Sequence, residues 1–462
     1  MHFLSEEYPS PAKPPVKTWS VGTLTYTAAG LVALFALLLW GDFAWSLKER
    51  AVQPMAQMLF KQFKASDLIM GALVTSLPAA LGMLLGPIIS VRSDNHRGRW
   101  GRRIPYLLIP TPIAAAAMVC MGYTPQLAEV LHATPVGAGF DIVACRLIVF
   151  GVCWTVFEIF TVMANAVFGG LINDVVPQAV IGRFYGLFRV VSLIAGILFN
   201  KFLIGHAEEH YKILFLSLGA LYGLGFTFMC LMVKEGSYEA PAPKGKGTLA
   251  TRFIDPIKLY VRECAAHPFY LWLFVALMAG NVAFLPVNSF DVPYAKSIGM
   301  DMDYFGHLRV VTYTISLSLA FFLGWAADKF HPLRLAIGSL ALYAAVSLWA
   351  GLFATGTASF SFAYIVHGVV SGIFFTGIAS IGQRLFPRTK FAQFASAAGI
   401  FNAIGFILVP TAVGKLLDVT GHVYHYTFVI GGVIAAFGLG AFIVVYRQFG
   451  ALGGTKNYAP PS

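Results

Sequence analysis

The sequence predicts an all-α polytopic membrane protein whose twelve spans form two six-helix halves, with both termini cytoplasmic. Three observations carry this. Of the 462 residues, 58% are hydrophobic and only 11% charged, whereas soluble domains carry about 25% charged residues. Long apolar runs alternate with short polar breaks, leaving room for about a dozen spans of roughly 20 residues. The second half also repeats the order of landmarks found in the first.

The orientation rests on one hairpin, residues 92–106, which holds Arg92, Arg97, Arg99, Arg102, Arg103 and a single acid, Asp94. A segment so charged cannot enter hydrocarbon, and its arginines assign it to the cytoplasmic side. The remaining spans follow from that assignment. Of the 32 lysines and arginines, 21 then fall in cytoplasmic segments and 6 in outer loops. Orientation therefore explains the net charge of +11, and no nucleic-acid partner is implied. Cys120, Cys145, Cys153 and Cys230 fall in spans and Cys264 in a cytoplasmic segment, so no disulfide framework is expected.

Residues 1–20 read as a polar cytoplasmic tail rather than a cleavable signal, given Glu6, Glu7 and several prolines. The first half occupies 21–233. Its first span starts near Val21 and continues as one long tilted helix to about Phe60; a shorter span ending near Trp45 would instead leave Asp42 to Arg50 at the outer surface. Spans two to six are expected near 67–91, 104–122, 140–170, 184–204 and 213–233, with an outer loop from Thr124 to Gly137. A basic, Ala-Pro-bearing linker, 234–268, crosses the cytoplasmic face. The second half, 269–446, carries spans near 269–295, 304–327, 333–354, 359–384, 392–414 and 426–446, and 447–462 is a cytoplasmic tail.

The repeat is visible in three places. Lys61…Gly71 aligns with Lys296…Gly306, Asp94 with Asp328 in Gly324-Trp-Ala-Ala-Asp-Lys329, and Val176-Pro177…Phe184 with Phe386-Pro387…Phe394. Repeated half-bundles with a site between them are a transporter pattern.

Ionisable groups inside spans normally face a cavity or a partner, because a bare charge there costs roughly 2.5–3.5 kcal/mol or more. On the long-helix reading, Asp42, Trp45, Ser46 and Glu49 share a face of span one. Trp154, Glu158, Thr161 and Asn165 form a polar stripe on span four, and Tyr185, Arg189, Ser192, Gly196 and Asn200 one on span five. Together they predict a cage with carboxylates to accept hydroxyl protons, Arg189 to donate, and Trp45 and Trp154 as flat walls. Sugars need both kinds of wall. Glu158 with Arg189 reads either as a structural ion pair joining helices four and five or as a proton-coupling latch.

The second half offers Asn281 and Asn288 on span seven, and Arg309, Thr312, Tyr313 and Ser316 with His307 on span eight. Tyr364, His367 and Ser371 follow on span ten, and Asn402 on span eleven. Asp94 facing Arg102 or Arg103, with Asp328 as its repeat equivalent, suits a conformational gate. No cofactor or metal is expected. His206-Ala-Glu-Glu-His210 fits an H-x-x-E-H zinc pattern but sits in a brief loop with no third ligand. The absence of a G-x-x-x-x-G-K-[ST] loop argues against ATP-driven transport.

Gly86, Asp94 and Gly101-Arg102-Arg103 resemble the loop between spans two and three of the major facilitator superfamily. Within it, several motifs are similar to the glycoside-pentoside-hexuronide cation symporters, including melibiose permease, and to the related sucrose transporters. These are Gly86-Pro-Ile-Ile with Arg99-Trp-Gly-Arg, Gly41-Asp-Phe-Ala-Trp45 and Trp154-Thr-Val-Phe-Glu158. The resemblance implies the major facilitator fold, a multi-pass protein of the cell (inner) membrane, and sugar or glycoside symport by a monomer, not an enzyme. It implies Asp42, Glu158 and Arg189 as substrate residues.

Two departures limit it. The family's sodium-binding carboxylates on span two are replaced by Gly82 and Gly86, so no sodium coupling is expected there. An arginine that sucrose transporters carry after the span-four acid is replaced by Gly169. Proton coupling through Glu158 is the expected alternative. A uniporter, or a carrier of another solute such as a drug or a peptidoglycan fragment, remains the rival reading.

Overall fold

The computed structural model describes residues 17–238, 267–387 and 391–461. Most of the linker expected at 234–268, together with Cys264, lies outside the described residues.

Eleven described helices are long and apolar enough to cross a membrane. They are α1 Ala28–Gln62, α2 Asp67–Asn95, α3 Ile104–Gly122, α4 Ile142–Val175, α5 (Arg183–Phe202 by this criterion), α6 Tyr211–Met232, α7 Pro268–Ser297, α9 Pro332–Phe353, α10 Thr357–Leu385, α11 (Gln393–Val419 by this criterion) and α12 Tyr426–Ala451. A further helix of 29 residues, α8 Met302–Phe330, takes the eighth place. The twelve-helix order thus matches the sequence-based expectation.

The first span resolves in favour of the long helix. At 35 residues α1 spans about 52 Å, so it crosses the hydrocarbon with turns to spare and carries Asp42 through Glu49 inside the bundle. Its start differs from expectation. Val21 belongs to a short antiparallel hairpin, Trp19–Val21 with Leu24–Tyr26. Gly22 supplies the positive φ of +55° that the tight turn needs. Helix begins only after Thr27, whose hydroxyl accepts from the Gly30 N–H. The outer loop expected after span three also contains a helix, Thr124–His132.

Two interruptions shape the interior. In α2 the turn Ala72–Ser76 is π-helical, a local widening frequent at functional sites. It carries Thr75 and Ser76, which hydrogen-bond Ser289 (3.0 Å) and Thr411 (2.9 Å) of the other half. In α7, the helix breaks between Val282 and Leu285 and departs from helical geometry again at Phe290 (φ −130°, ψ 15°). Pro286 and Pro293 account for this, because neither has an N–H to continue the ladder. The freed Val292 N–H is taken by the Asp291 carboxylate at 2.8 Å.

The halves meet along two crossings, α2 against α11 and α5 against α8. Both pass through glycine. A Cβ on Gly71 would lie 3.0 Å from the Phe290 ring and still closer to the Pro410 carbonyl, and one on Gly306 would strike the Asn200 carbonyl of α5. Gly71 and Gly306 are the repeat-equivalent residues of the two halves, so the same device holds both seams.

Arg102 and Arg103 of the arginine hairpin are tied down by residues of their own half. Arg102 grips Asp174 at the end of α4 through two bonds (2.8 and 2.5 Å), and Arg103 reaches Asp174 (3.0 Å) and pairs with Asp94. Glu235, just past α6, accepts the backbone N–H groups of Arg102, Arg103 and Ile104 at 2.8–3.0 Å. A carboxylate there meets the unpaired donors that open α3. Tyr238 donates to the same carboxylate (2.8 Å). Burial, with Glu235 alongside, holds its phenol above the ordinary tyrosine pKa. Asp94 thus faces Arg103, as the sequence reading expects, and the pair clamps helix ends within the first half. Asp328 lies on α8, but its side chain is outside the described residues.

Replacing Glu235 by Ala strands three N–H groups, and should cost about 0.5–2 kcal/mol, the range for a lost helix cap. Thermal unfolding of the purified variant in detergent, measured beside the wild type, checks this.

Candidate functional site

Between the halves lies a cavity of about 610 Å³, within the roughly 300–1,000 Å³ of small-molecule sites. From the first half, α1 contributes Glu49, Arg50, Gln53 and Gln57, and α5 contributes Arg189 and Leu193. From the second half come Asn288 and Asp291 of α7, Arg309, Thr312, Tyr313 and Ser316 of α8, and Tyr364, His367 and Ser371 of α10.

The second-half wall is the more ordered. Arg309 donates to the Asp291 carboxylate at 2.6 Å, Tyr364 donates to the same oxygen at 2.8 Å, and Arg309 Nε reaches the Tyr364 hydroxyl at 3.2 Å. Asp291 is 2% exposed, so this three-part contact neutralises a carboxylate that could not otherwise stay charged at that depth. Beside it runs a second chain. His367 Nε2 lies 3.0 Å from Asn288 Oδ1, and His367 Nδ1 lies 2.9 Å from the Tyr343 hydroxyl. Asn288 Oδ1 only accepts, so Nε2 carries a proton, while the Tyr343 hydroxyl beside Nδ1 also donates toward the Ala283 carbonyl at 3.5 Å.

The sequence-predicted residues divide into three groups. Glu49, Arg189 and Asn288 line the cavity, and with them the second-half candidates Arg309, Thr312, Tyr313, Ser316, Tyr364, His367 and Ser371. Asp42, Trp45, Trp154 and Glu158 are buried behind its wall, and Asn165 is exposed but outside the lining. Asn281 is engaged with Asn402 of α11 at 3.0 Å, away from the cavity.

Behind the wall, Asp42 accepts from Ser46 (3.1 Å), and its other oxygen has no hydrogen-bond partner. Trp45 packs on Phe168, Tyr222 and Phe226. Trp154 donates to the Leu73 carbonyl at 2.8 Å, pinning α4 to α2.

Glu158 and Arg189 do not form the expected pair. Arg189 points into the cavity from α5, where its electrostatic neighbours are Arg50 and Tyr313. Glu158 turns toward α1, where its charged neighbours are Lys48 and Glu49. Lys48 is 1% exposed. Its ammonium has no hydrogen-bond partner among the described residues and sits 3.8 Å from the Trp45 ring centroid and 4.9 Å from that of Tyr222, an aromatic box that a cation favours.

Five residues escape the sequence reading: Asp291, Lys48 and, on the cavity side of α1, Arg50, Gln53 and Gln57. Asp291 stood in an apolar run three residues after Asn288, and an intramembrane carboxylate is by itself a site signal. Lys48 was passed over because it lies one residue off the polar face of α1, and only the fold shows the rings around it.

Beyond the Gln57 end of the cavity, a cluster ties the halves together across the α2–α11 seam. Asp67 is fully buried. Its carboxylate is met by Lys61 (2.5 Å), His422 Nδ1 (2.5 Å) and the Tyr424 hydroxyl (3.0 Å). Asp418 of α11 accepts the backbone N–H groups of Asp67 (2.7 Å) and Leu68 (2.9 Å), capping α2 from the opposite half. Asp67, Asp418 and His422 bring possible metal-ligand atoms within 4.8 Å of one another, but Lys61, Tyr424 and two N–H groups already occupy their oxygens. At the same end Lys296 pairs with Glu208, an acid of the H-x-x-E-H pattern noted in the sequence. The arginine hairpin lies at the other end.

A family model described as MFS/sugar transport protein matches residues 37–414. The chain belongs to that family. Solved structures agree on the fold. A bacterial homolog of the human lysosomal transporter Spinster, in an inward-facing and unoccupied conformation, superposes with TM-score 0.65 at 16% identity, covering 94% of this chain and 98% of that one. A D-xylose–proton symporter gives 0.60 at 15% identity over 90% and 97%, and the nucleoside transporter NupG gives 0.57 at 12% over 90% and 98%. At these identities the likeness is one of fold, and the named cargoes differ. Compared with curated proteins by sequence, the chain matches none. Family and fold identify a multi-pass membrane transporter of the major facilitator type, and they point away from an enzyme.

The transporter's closed end should open under a single added side chain. A Cβ on Gly414 would collide with the Asp67 carbonyl, so Gly414→Val should weaken the closed arrangement by about 1–3 kcal/mol, as overpacking does. Spin labels at Lys64 and Val419 should report a longer distance in the variant than in an otherwise identical protein.

Proposed function

We propose that this transporter carries a sugar or glycoside across the cell membrane by alternating access, as a monomeric proton symporter with both termini cytoplasmic. The observation that carries the proposal is the central cavity, walled by polar side chains of both halves and shut at one end by hydrogen bonds between them. Gln53, Gln57, Asn288, Thr312 and Ser316 offer the mixed donors and acceptors that hydroxyl-rich solutes need. The excess of arginine at the hairpin end supports assigning that end to the cytoplasm, which makes the closed end the outer one.

Coupling is assigned to Glu158, with Lys48 in place of Arg189 as its counter-charge. Both groups lie out of water, so the charge of one decides what the other costs. Protonating Glu158 leaves the ammonium held by aromatic rings and Glu49 alone. Releasing the proton restores an attraction between α4 and α1, the helix that lines the cavity through Glu49 and Arg50. A proton taken up on one side therefore biases the position of a cavity wall. The hairpin with Asp94, Arg102, Arg103 and Asp174 supports a rigid lever at the cytoplasmic end, moving with its half.

Uptake of labelled sugars into proteoliposomes tests the proposal. One pH unit, acid outside, should drive about tenfold accumulation for one coupled proton, and none should occur without a gradient. Glu158→Gln should abolish accumulation but keep sugar exchange at equilibrium. Equal uptake with and without the gradient would mean uniport, and no movement of any sugar would mean a different cargo.

A further inference from the structure

Two further cavities, both built from the first half alone, follow one another along α6. The first, about 560 Å³, lies where α6 meets the arginine hairpin. Arg99 and Trp100 of the hairpin, Leu231 at the end of α6, and Lys234 and Ser237 just beyond it line this pocket. The second, about 540 Å³, is a groove between α6 and α1 lined by Trp40, Leu224, Gly225 and Phe228 among others, with no charged side chain.

The pocket at the hairpin is short of negative charge. Its one acid, Glu235, is taken by three backbone N–H groups and by Tyr238. Arg97 donates to the carbonyls of Asp94 (2.7 Å) and His96 (2.8 Å). Arg99 and Lys234 have neither a hydrogen bond nor an ion pair among the described residues. Trp100 is exposed beside them, and its ring suits the boundary between hydrocarbon and headgroups. The groove has the opposite character. The turn Leu221–Phe226 of α6 is π-helical, and a Cβ on Gly225 would lie 3.3 Å from the Trp40 indole nitrogen. Glycine thus leaves a channel open where a side chain would fill it.

The two spaces are joined by one strip of α6. Phe228 lines the groove and Leu231 the pocket. Three residues apart, they share a helix face and are separated by about 4.5 Å along the axis. With Leu224 they are large apolar side chains left exposed. A phosphate between Arg99 and Lys234 would therefore have a hydrocarbon path leading away from it. A small free anion would leave that path empty, whereas a membrane lipid fills both parts.

We propose that this surface binds an anionic phospholipid, with the headgroup phosphate at Arg99 and Lys234, the glycerol region beside Trp100, and one acyl chain in the groove between α1 and α6. Basic pockets at helix ends select such headgroups. The site lies apart from the central cavity, so the lipid is a bound partner and not the cargo. It ties the hairpin, α6 and α1 together on one face of the first half.

The test uses the purified full-length protein in neutral detergent, titrated with dioleoyl phosphatidylglycerol or dioleoyl phosphatidylcholine. Bound lipid is counted by native mass spectrometry, and stabilisation is read by thermal unfolding. Phosphatidylglycerol should bind at least about tenfold more tightly than phosphatidylcholine, as two basic side chains near a headgroup provide. The double variant Arg99→Gln, Lys234→Gln should lose that preference, while Arg92→Gln, at an exposed hairpin arginine outside the pocket, should keep it within about twofold. Phosphatidylglycerol with brominated acyl chains should quench tryptophan fluorescence, and part of that quenching should vanish in Trp40→Phe. Thermal unfolding without lipid confirms that the variants are folded. Equal binding of the two lipids overturns the inference, as does an equal loss of preference in Arg92→Gln, which would mean general surface charge. It is also overturned if glycerol 3-phosphate displaces the lipid at equal concentration, which would mean a small-anion site, or if Trp40→Phe leaves the quenching unchanged.

Discussion

A charge inside a bilayer-spanning bundle must be answered by an opposite charge, an aromatic face or water. Most of what distinguishes this chain follows from how each intramembrane charge is answered. Asp291 and Arg309 answer one another, with Tyr364 closing the contact. Lys48 is answered by rings and, at longer range, by Glu158. Arg50 and Arg189 face the cavity, with the Tyr313 ring 5.5 Å from the Arg50 guanidinium. Three solutions within one bundle divide it into a hydrogen-bonded second-half wall, a buried lysine–carboxylate neighbourhood and a cationic stretch of the cavity lining.

The seams between the halves obey a different logic. Glycines at both crossings bring backbones close enough to exclude large side chains, as helix packing in lipid favours. Apolar packing crosses the seams as well, since one buried cluster joins Met55, Phe60 and Met70 to Phe290, Phe305 and Val413 of the other half, and polar contacts add to it. Thr75 with Ser289, Ser76 with Thr411, and Asp67 with Lys61, His422 and Tyr424 supply them. Each of these groups can exchange its partner for water.

The fold was largely legible in the sequence because hydropathy and charge report directly on the bilayer. The twelve helices, the internal repeat and the long first span follow from apolar runs and from the repeat's landmarks. The hairpin Trp19–Tyr26 was not legible, since a six-residue pairing beside a span looks like the start of that span. The site was legible only in part. Periodicity places Glu49, Arg189 and Asn288 on polar faces, and all three line the cavity. It cannot say which polar face is turned to the cavity and which is packed behind it, so Asp42 and Glu158 were placed with Arg189. Helix rotation about its own axis is set by neighbours, and a single sequence does not contain it. Asp291 was overlooked because the prolines around it obscured the helical period.

The cap that Asp418 places on α2 has a thermodynamic corollary. A half-buried carboxylate bound to two main-chain amides, 2.7 and 2.9 Å away, would be hard to part if hydrocarbon took its place. At this edge of the bundle the solvent stands ready to replace both partners, so separation trades one set of bonds for another. Such a hinge resists neither closing nor opening strongly, and the occupancy of its two positions can be set by a free energy as small as that of binding one solute molecule.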